Sequence, residues 1–195
     1  MNTSSLLIRS TPESISNSML NGLPPVVDSE SLVLVLGTFP GSQSLQHGEY
    51  YFDRSNKLWQ VLLGVLEVSS ALPYHQRVAQ LLSHRIALWD VIDRCRRKGS
   101  KDRDIKDPVA NDLITFLQNH KSIKHIIFNG EDGRKSASRW AKSLIPEMFE
   151  LPGIEIHRFT STSGLNTRYT VEQKVNCWSE IRNYLVSPNN SDVNS

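Results

Sequence analysis

The sequence predicts an α/β fold, a three-layer α/β/α sandwich around a central, mainly parallel four-stranded sheet. Three observations carry this expectation. Four short apolar runs recur along the 195 residues, at 32–36 (LVLVL), 86–92 (IALWDVI), 123–128 (IKHIIF) and 154–159 (IEIHRF). None alternates strictly between apolar and polar, which suits strands covered on both faces. Amphipathic stretches with helical spacing separate them, the βαβ pattern of a parallel sheet with right-handed crossovers.

The elements follow in order. The first run ends at Gly37, and Leu58, Val61, Leu62, Val65 and Leu66 then recur at helical spacing. After the second run, Asp107 suits an N-cap with Pro108 at the first helical position, leading into Val109, Leu113, Phe116 and Leu117. Beyond the third run, Ala137, Trp140, Ala141, Leu144 and Ile145 form an apolar stripe. After the fourth, Thr170 with Gln173 makes a capping box ahead of Val175, Trp178, Ile181 and Leu185. Residues 1–28 read as a partly flexible lead-in, 29–186 as one folded domain and 187–195 as a polar disordered tail.

Bulk properties narrow the function. The length suits one domain, and 38% hydrophobic with 22% charged residues is ordinary for a globular chain. No apolar run reaches the length of a membrane span, and the Ser-rich N-terminus lacks a secretory apolar core. Cys95 and Cys177 are too few for a four-cysteine zinc or iron–sulfur site, and unpaired thiols suit a reducing compartment. An intracellular protein is expected, cytoplasmic in a prokaryote and nuclear or mitochondrial in a eukaryote. His84, His125 and His157 show no metal spacing and read as structural, so neither metal nor cofactor is expected. Net charge is +2, yet residues 94–106 hold seven basic residues against two acidic ones. Such a run suits either a solvated loop or a phosphate-facing patch, the latter through Arg97 and Lys98.

Ligands of open parallel sheets bind at the carboxyl ends of the strands. There the chain places Gly37-Thr38-Phe39-Pro40-Gly41, a sharp turn in which Gly41 lets backbone approach a ligand. Ser42 and Ser44 can donate to phosphate, Tyr50 and Tyr51 offer flat surfaces for a base, and Asn56 and Trp59 follow. His47 lies within the same stretch. On residue type alone each also has a structural reading: a plain strand-to-helix turn, core tyrosines, and a helix N-cap at Asn56 shared with Ser55.

Residues 37–59, GTFPGSQSLQHGEYYFDRSNKLW, resemble the first motif of the uracil-DNA glycosylase superfamily in the form of its hypoxanthine-DNA (deoxyinosine) glycosylase branch. The resemblance continues through IALWDVIDRCRRKGSKDRDI and IIFNG to TSTSGLNTRYTVEQKVNCW, covering residues 30–186. It implies a uracil-DNA glycosylase-like fold and a monofunctional DNA glycosylase that flips a deaminated base, hypoxanthine or uracil, and hydrolyses its N-glycosidic bond to begin base-excision repair. Many superfamily members order the attacking water with an acid or amide at the third place of this motif; here that place is Phe39, which is expected to wall the base. The catalytic role then passes to Asn56, which can position a water but cannot ionise. Thr38, Phe39, Tyr51, Asp90 and Asn129 are expected around the base, Asp90 where the superfamily reads the base edge. Ser161, Ser163, Gly164, Leu165 and Arg168 match the last motif and are expected on DNA. Gly164-Leu165 departs from the Pro-Ala of the nearest branch toward mismatch-specific uracil glycosylases, with Leu165 as the wedge in the vacated stack. The expected partner is DNA bearing a deaminated base, bound by a monomer. A hydrolase of free nucleosides or nucleotides, and a non-catalytic damage-binding module, are the competing readings.

Overall fold

The computed structural model describes residues 18–130 and 136–186. Its centre is a parallel sheet in the order β3-β2-β6-β7, built from β2 (Val33–Gly37), β3 (Ile86–Asp90), β6 (His125–Asn129) and β7 (Glu155–Phe159). All three pairings are parallel, and β2 is buried at every residue. Alternation along β2 sends side chains into two layers. Leu34 and Leu36 join the core made with Leu113, Phe116 and Leu117 of α4 (Leu113–Asn119) and with Ala137 and Ala141 of α5 (Ala137–Leu144). Val33 and Val35 face the opposite layer, with Leu58 to Val65 of α2 (Leu58–Val65), Leu81 of α3 (Tyr74–Ser83) and Trp178 of α6 (Val171–Trp178). The expected three-layer sandwich is therefore present.

Two departures matter for the site. The apolar run 86–92 is two strands, not one. β3 ends at Asp90, and after Val91 the chain enters β4 (Ile92–Arg96), which belongs to a second, antiparallel sheet of order β1-β4-β5. Its edges are β1 (Leu20–Asn21) and β5 (Lys106–Ala110). Asp107 and Pro108 thus sit in a strand, with Asp107 at a positive φ of 47°, and do not start a helix. Proline is tolerated because β5 is an edge. The true start of α4 is capped by Asp112, whose carboxylate accepts from the Thr115 amide at 3.0 Å. The basic stretch 94–106 is accordingly a ribbon with a 3-10 turn at Asp102–Asp104, rather than a loose loop. α1 (Ser42–His47) and α3 were not anticipated as separate helices. The expected capping box of Thr170 and Gln173 is formed in full. Residues 20–27 pack on the domain through Leu20, Leu23, Val26 and Val27, while the tail 187–195 lies outside the described residues.

Candidate active site

Strand order places Gly37, Asp90 and Asn129 side by side at the carboxyl edge of the sheet, at the base of a cleft of about 1240 Å³. Twelve of the residues expected at the site line it: Thr38, Phe39, Ser44, Tyr51, Asn56, Asp90, Asn129, Ser161, Ser163, Gly164, Leu165 and Arg168. Ser42, Arg97 and Lys98 do not.

The floor is made by Asp90, which is 4% exposed. Its Oδ2 meets no hydrogen-bond partner among the described residues. Burial first, then the nearby Asp102, push its pKa up to about 8 against a weaker pull from Arg97, so at neutral pH the carboxyl is largely protonated. Gly37 makes this possible. A Cβ there would lie 2.3 Å from Asp90 Oδ1 and 2.7 Å from the Tyr51 hydroxyl, so only glycine lets both side chains converge. Tyr51 itself adopts a positive φ of 54°, and its hydroxyl accepts from Asn129 Nδ2 at 3.3 Å. Burial, then the Asp90 charge, hold this phenol above its usual value. Its neighbour Tyr50 turns into the core and donates to Leu23 O.

A second cluster fixes the amides. The fully buried Thr162 donates to Asn56 Oδ1 at 2.9 Å and accepts from Asn129 Nδ2 at 2.8 Å, while its own amide donates to Asn129 Oδ1 at 3.0 Å. Asn56 Oδ1 also accepts from the Leu58 amide, the first residue of α2, at 3.0 Å. The cap-like bond and the site position therefore coexist in one side chain. With both lone pairs of Oδ1 engaged, Asn56 offers the cleft only its Nδ2 donor.

The third cluster was missed from sequence. Asp102 reaches the cleft from within the basic segment. Thr38 hydrogen-bonds its carboxylate, and Arg97 Nη1 lies 3.7 Å from Oδ1. Burial raises the Asp102 pKa, opposed by Thr38 and Arg97. Ser100 Oγ accepts from the Ser42 amide at 2.9 Å and donates to Ser42 Oγ, clamping the ribbon onto the turn after β2. The sequence signal was an acid within a basic run, one of two there, which a charge count treats as an offset.

Several placements correct the expectations. Arg97 is not a surface residue: its side chain is fully buried, donates to Pro40 O and covers the Phe39 ring at 4.9 Å. Phe39 is 6% exposed and packed in the core, so it walls the cleft without offering an open stacking face. Ser44 is buried, its hydroxyl accepting from the Phe52 amide. Lys98 and Ser42 are exposed beside the cleft, not in it. His47 stacks on Phe52 at 3.8 Å.

The loop 161–168 forms the rim of the cleft. Leu165 is 80% exposed. A Cβ on Gly164 would lie 2.7 Å from Ser55 O, so this glycine lets the loop press against the α2 lead-in. Ser163 Oγ accepts from the Leu165 amide, and Lys174 Nζ donates to Asn166 O at 2.9 Å, bracing the loop from below. Lys101, Arg103 and Arg168 bring positive charge to the same mouth.

Comparison with known proteins bears on the family and the fold. The family model described as the uracil DNA glycosylase superfamily matches residues 24–185. A protein of Methanosarcina barkeri named hypoxanthine DNA glycosylase is 29% identical over 160 residues, covering 82% of this chain and 95% of its own. A protein of the same name from Methanosarcina acetivorans is 30% identical over 150 residues, covering 76% and 89%. The solution NMR structure of a candidate uracil DNA glycosylase from Methanosarcina acetivorans superposes with a TM-score of 0.70 at 27% identity, covering 86% of this chain and 99% of that one.

Proposed function

This chain belongs to the uracil DNA glycosylase superfamily, and from that premise we propose that it extrudes hypoxanthine from DNA and hydrolyses its N-glycosidic bond. The observation that carries the reading is the buried Asp90 with its unpartnered Oδ2 at the cleft floor, where burial favours the neutral carboxyl. A neutral carboxyl donates once and accepts once. Hypoxanthine presents an N–H beside a carbonyl, the complementary pair. Uracil presents the same edge and is the second substrate to test.

Extrusion costs a few kcal/mol, and the exposed Leu165 fills the vacated stack. Lys101, Arg103 and Arg168 surround the cleft mouth, where flanking phosphates would run. As the C1′–N bond breaks, its electrons pass to the base, and the O–H of Asp90 stabilises the charge growing on the carbonyl oxygen. Water adds to C1′. Asn56 Nδ2 donates to the oxygen of that water, and the Asp102 carboxylate accepts its proton. This division of labour supplies the acceptor that Phe39 and the saturated Asn56 Oδ1 cannot.

The nucleophile is water rather than a lysine. Lys174 is committed to two backbone carbonyls, and Lys101 is exposed at the rim. The product is an abasic site without strand cleavage.

Duplexes carrying single hypoxanthine, uracil or xanthine residues, incubated with the protein and treated with alkali, test the proposal. Alkali-dependent cleavage at the lesion is expected, fastest at hypoxanthine. Absence of release from every lesion would overturn it, and release from free deoxyinosine at equal efficiency would replace DNA with the nucleoside as substrate.

A further inference from the structure

At the opposite edge of the sheet, three ligating side chains converge. His125 opens β6, and its register partner on β7 is Glu155. His157 lies two residues further along β7, so the pleat puts all three on one face. His125 Nδ1 faces His157 Nε2 at 3.3 Å, and Glu155 Oε2 lies 3.5 Å from the first and 3.8 Å from the second. Among the described residues this is the one group of three or more such side chains whose ligand atoms meet this closely. Both imidazoles are half-buried, stacked on the Tyr184 ring at 4.6 and 4.1 Å, which fixes their planes.

The distances fit a tetrahedral ion. Zinc bonds of about 2.0–2.1 Å at tetrahedral angles put neighbouring ligand atoms about 3.3 Å apart. Two imidazole nitrogens facing each other need either a shared proton or a cation between them. Glu155 is largely exposed, leaving the fourth position open to water.

We propose that His125, Glu155 and His157 bind one divalent late first-row transition ion, with Zn²⁺ the representative case. Sequence spacing hides the site because its ligands come from two strands about 30 residues apart, joined by β pairing. It lies about 13 Å along β6 from Asn129 at the cleft. Its effect is structural: a bound ion ties the edge strand β7 to β6 and holds the segment carrying Tyr184 against both.

The test uses the full chain in a Cys177→Ser background, which removes the exposed thiol as a competing ligand. Zn²⁺ is titrated in competition with a chromogenic chelator, and Co²⁺ loading is followed by visible absorption. One ion per chain, a tetrahedral Co²⁺ spectrum and a rise in melting temperature on adding Zn²⁺ are expected. Affinity should fall at least tenfold in His157→Ala and His125→Gln, and several-fold in Glu155→Gln. Should either histidine variant fail to fold, Glu155→Gln decides, because that side chain is largely exposed. No stoichiometric binding by the parent protein, or equal affinity in the folded variants, would overturn the proposal.

Discussion

Gly37 and Asp90 are register partners on adjacent parallel strands, and a Cβ on the first would lie 2.3 Å from Oδ1 of the second. The glycine is therefore the steric condition for a carboxyl group at the cleft floor. Gly37→Ala should push both Asp90 and Tyr51 aside. We expect a loss of about 1–3 kcal/mol in stability from overpacking and a fall of at least about 100-fold in kcat/KM, since small misplacements are costly at a reacting centre. Denaturant melts and single-lesion kinetics measure the two effects. A variant with native kinetics would remove the convergence argument.

Asp90 makes both stability and activity depend on pH. Its folded pKa, about 8, lies above its unfolded value near 3.9. Its contribution is therefore fully present below about pH 4 and is lost as pH rises to about 8. Asp90→Asn abolishes that loss. The stability of the variant minus that of the parent should climb across this window, by at most about 1.4 kcal/mol per pH unit, and level off above it. In the parent, kcat/KM for hypoxanthine should fall above about pH 8; in Asp90→Asn that limb should vanish.

Asn56 and Asp102 are expected to separate binding from turnover. Asn56→Ala and Asp102→Asn should each lower kcat by about 100-fold or more, the scale of losing one oriented polar group. Affinity for lesion duplex should change little. Single-turnover kinetics beside equilibrium binding make the distinction. If Asp102→Asn turns over normally, the proton acceptor is another group.

Leu165 is the clearest surface prediction. At 80% exposure, Leu165→Ala should leave stability within about 0.5 kcal/mol. Excision from a duplex should slow by about tenfold or more, and from a single strand much less, because only the duplex leaves a stack to fill. Equal effects on both substrates would exclude a wedge.

The exposed ribbon predicts salt dependence. Lys98→Ala with Lys101→Ala should weaken binding to any DNA sequence and lower the slope of log affinity against log salt by about 1–2. Binding measured across a salt series reads this directly. Arg97→Ala belongs to another class: it takes the donor from Pro40 O, leaves Asp102 with Thr38 but without its ion pair, and should destabilise the fold instead.

The sequence by itself determined the layers and the start of α6. Apolar runs such as LVLVL and the Thr170–Gln173 box act over a few residues, where burial and backbone amides leave little choice. It also placed Asn56, Asp90 and Leu165 at the right edge, because parallel strands expose their carboxyl ends to ligands. Where local signals compete, it misled. Asp107-Pro108 reads as a helix start, yet pairing with β4 outweighs that preference and makes it an edge strand. Only the tertiary structure decided which atoms are free. Thr162 saturates Asn56 from 106 residues away, Arg97 turns inward across 57 residues to Pro40, and His125 meets His157 across two strands. Hydrogen-bond saturation and burial depend on contacts between distant segments, and no local spacing records them.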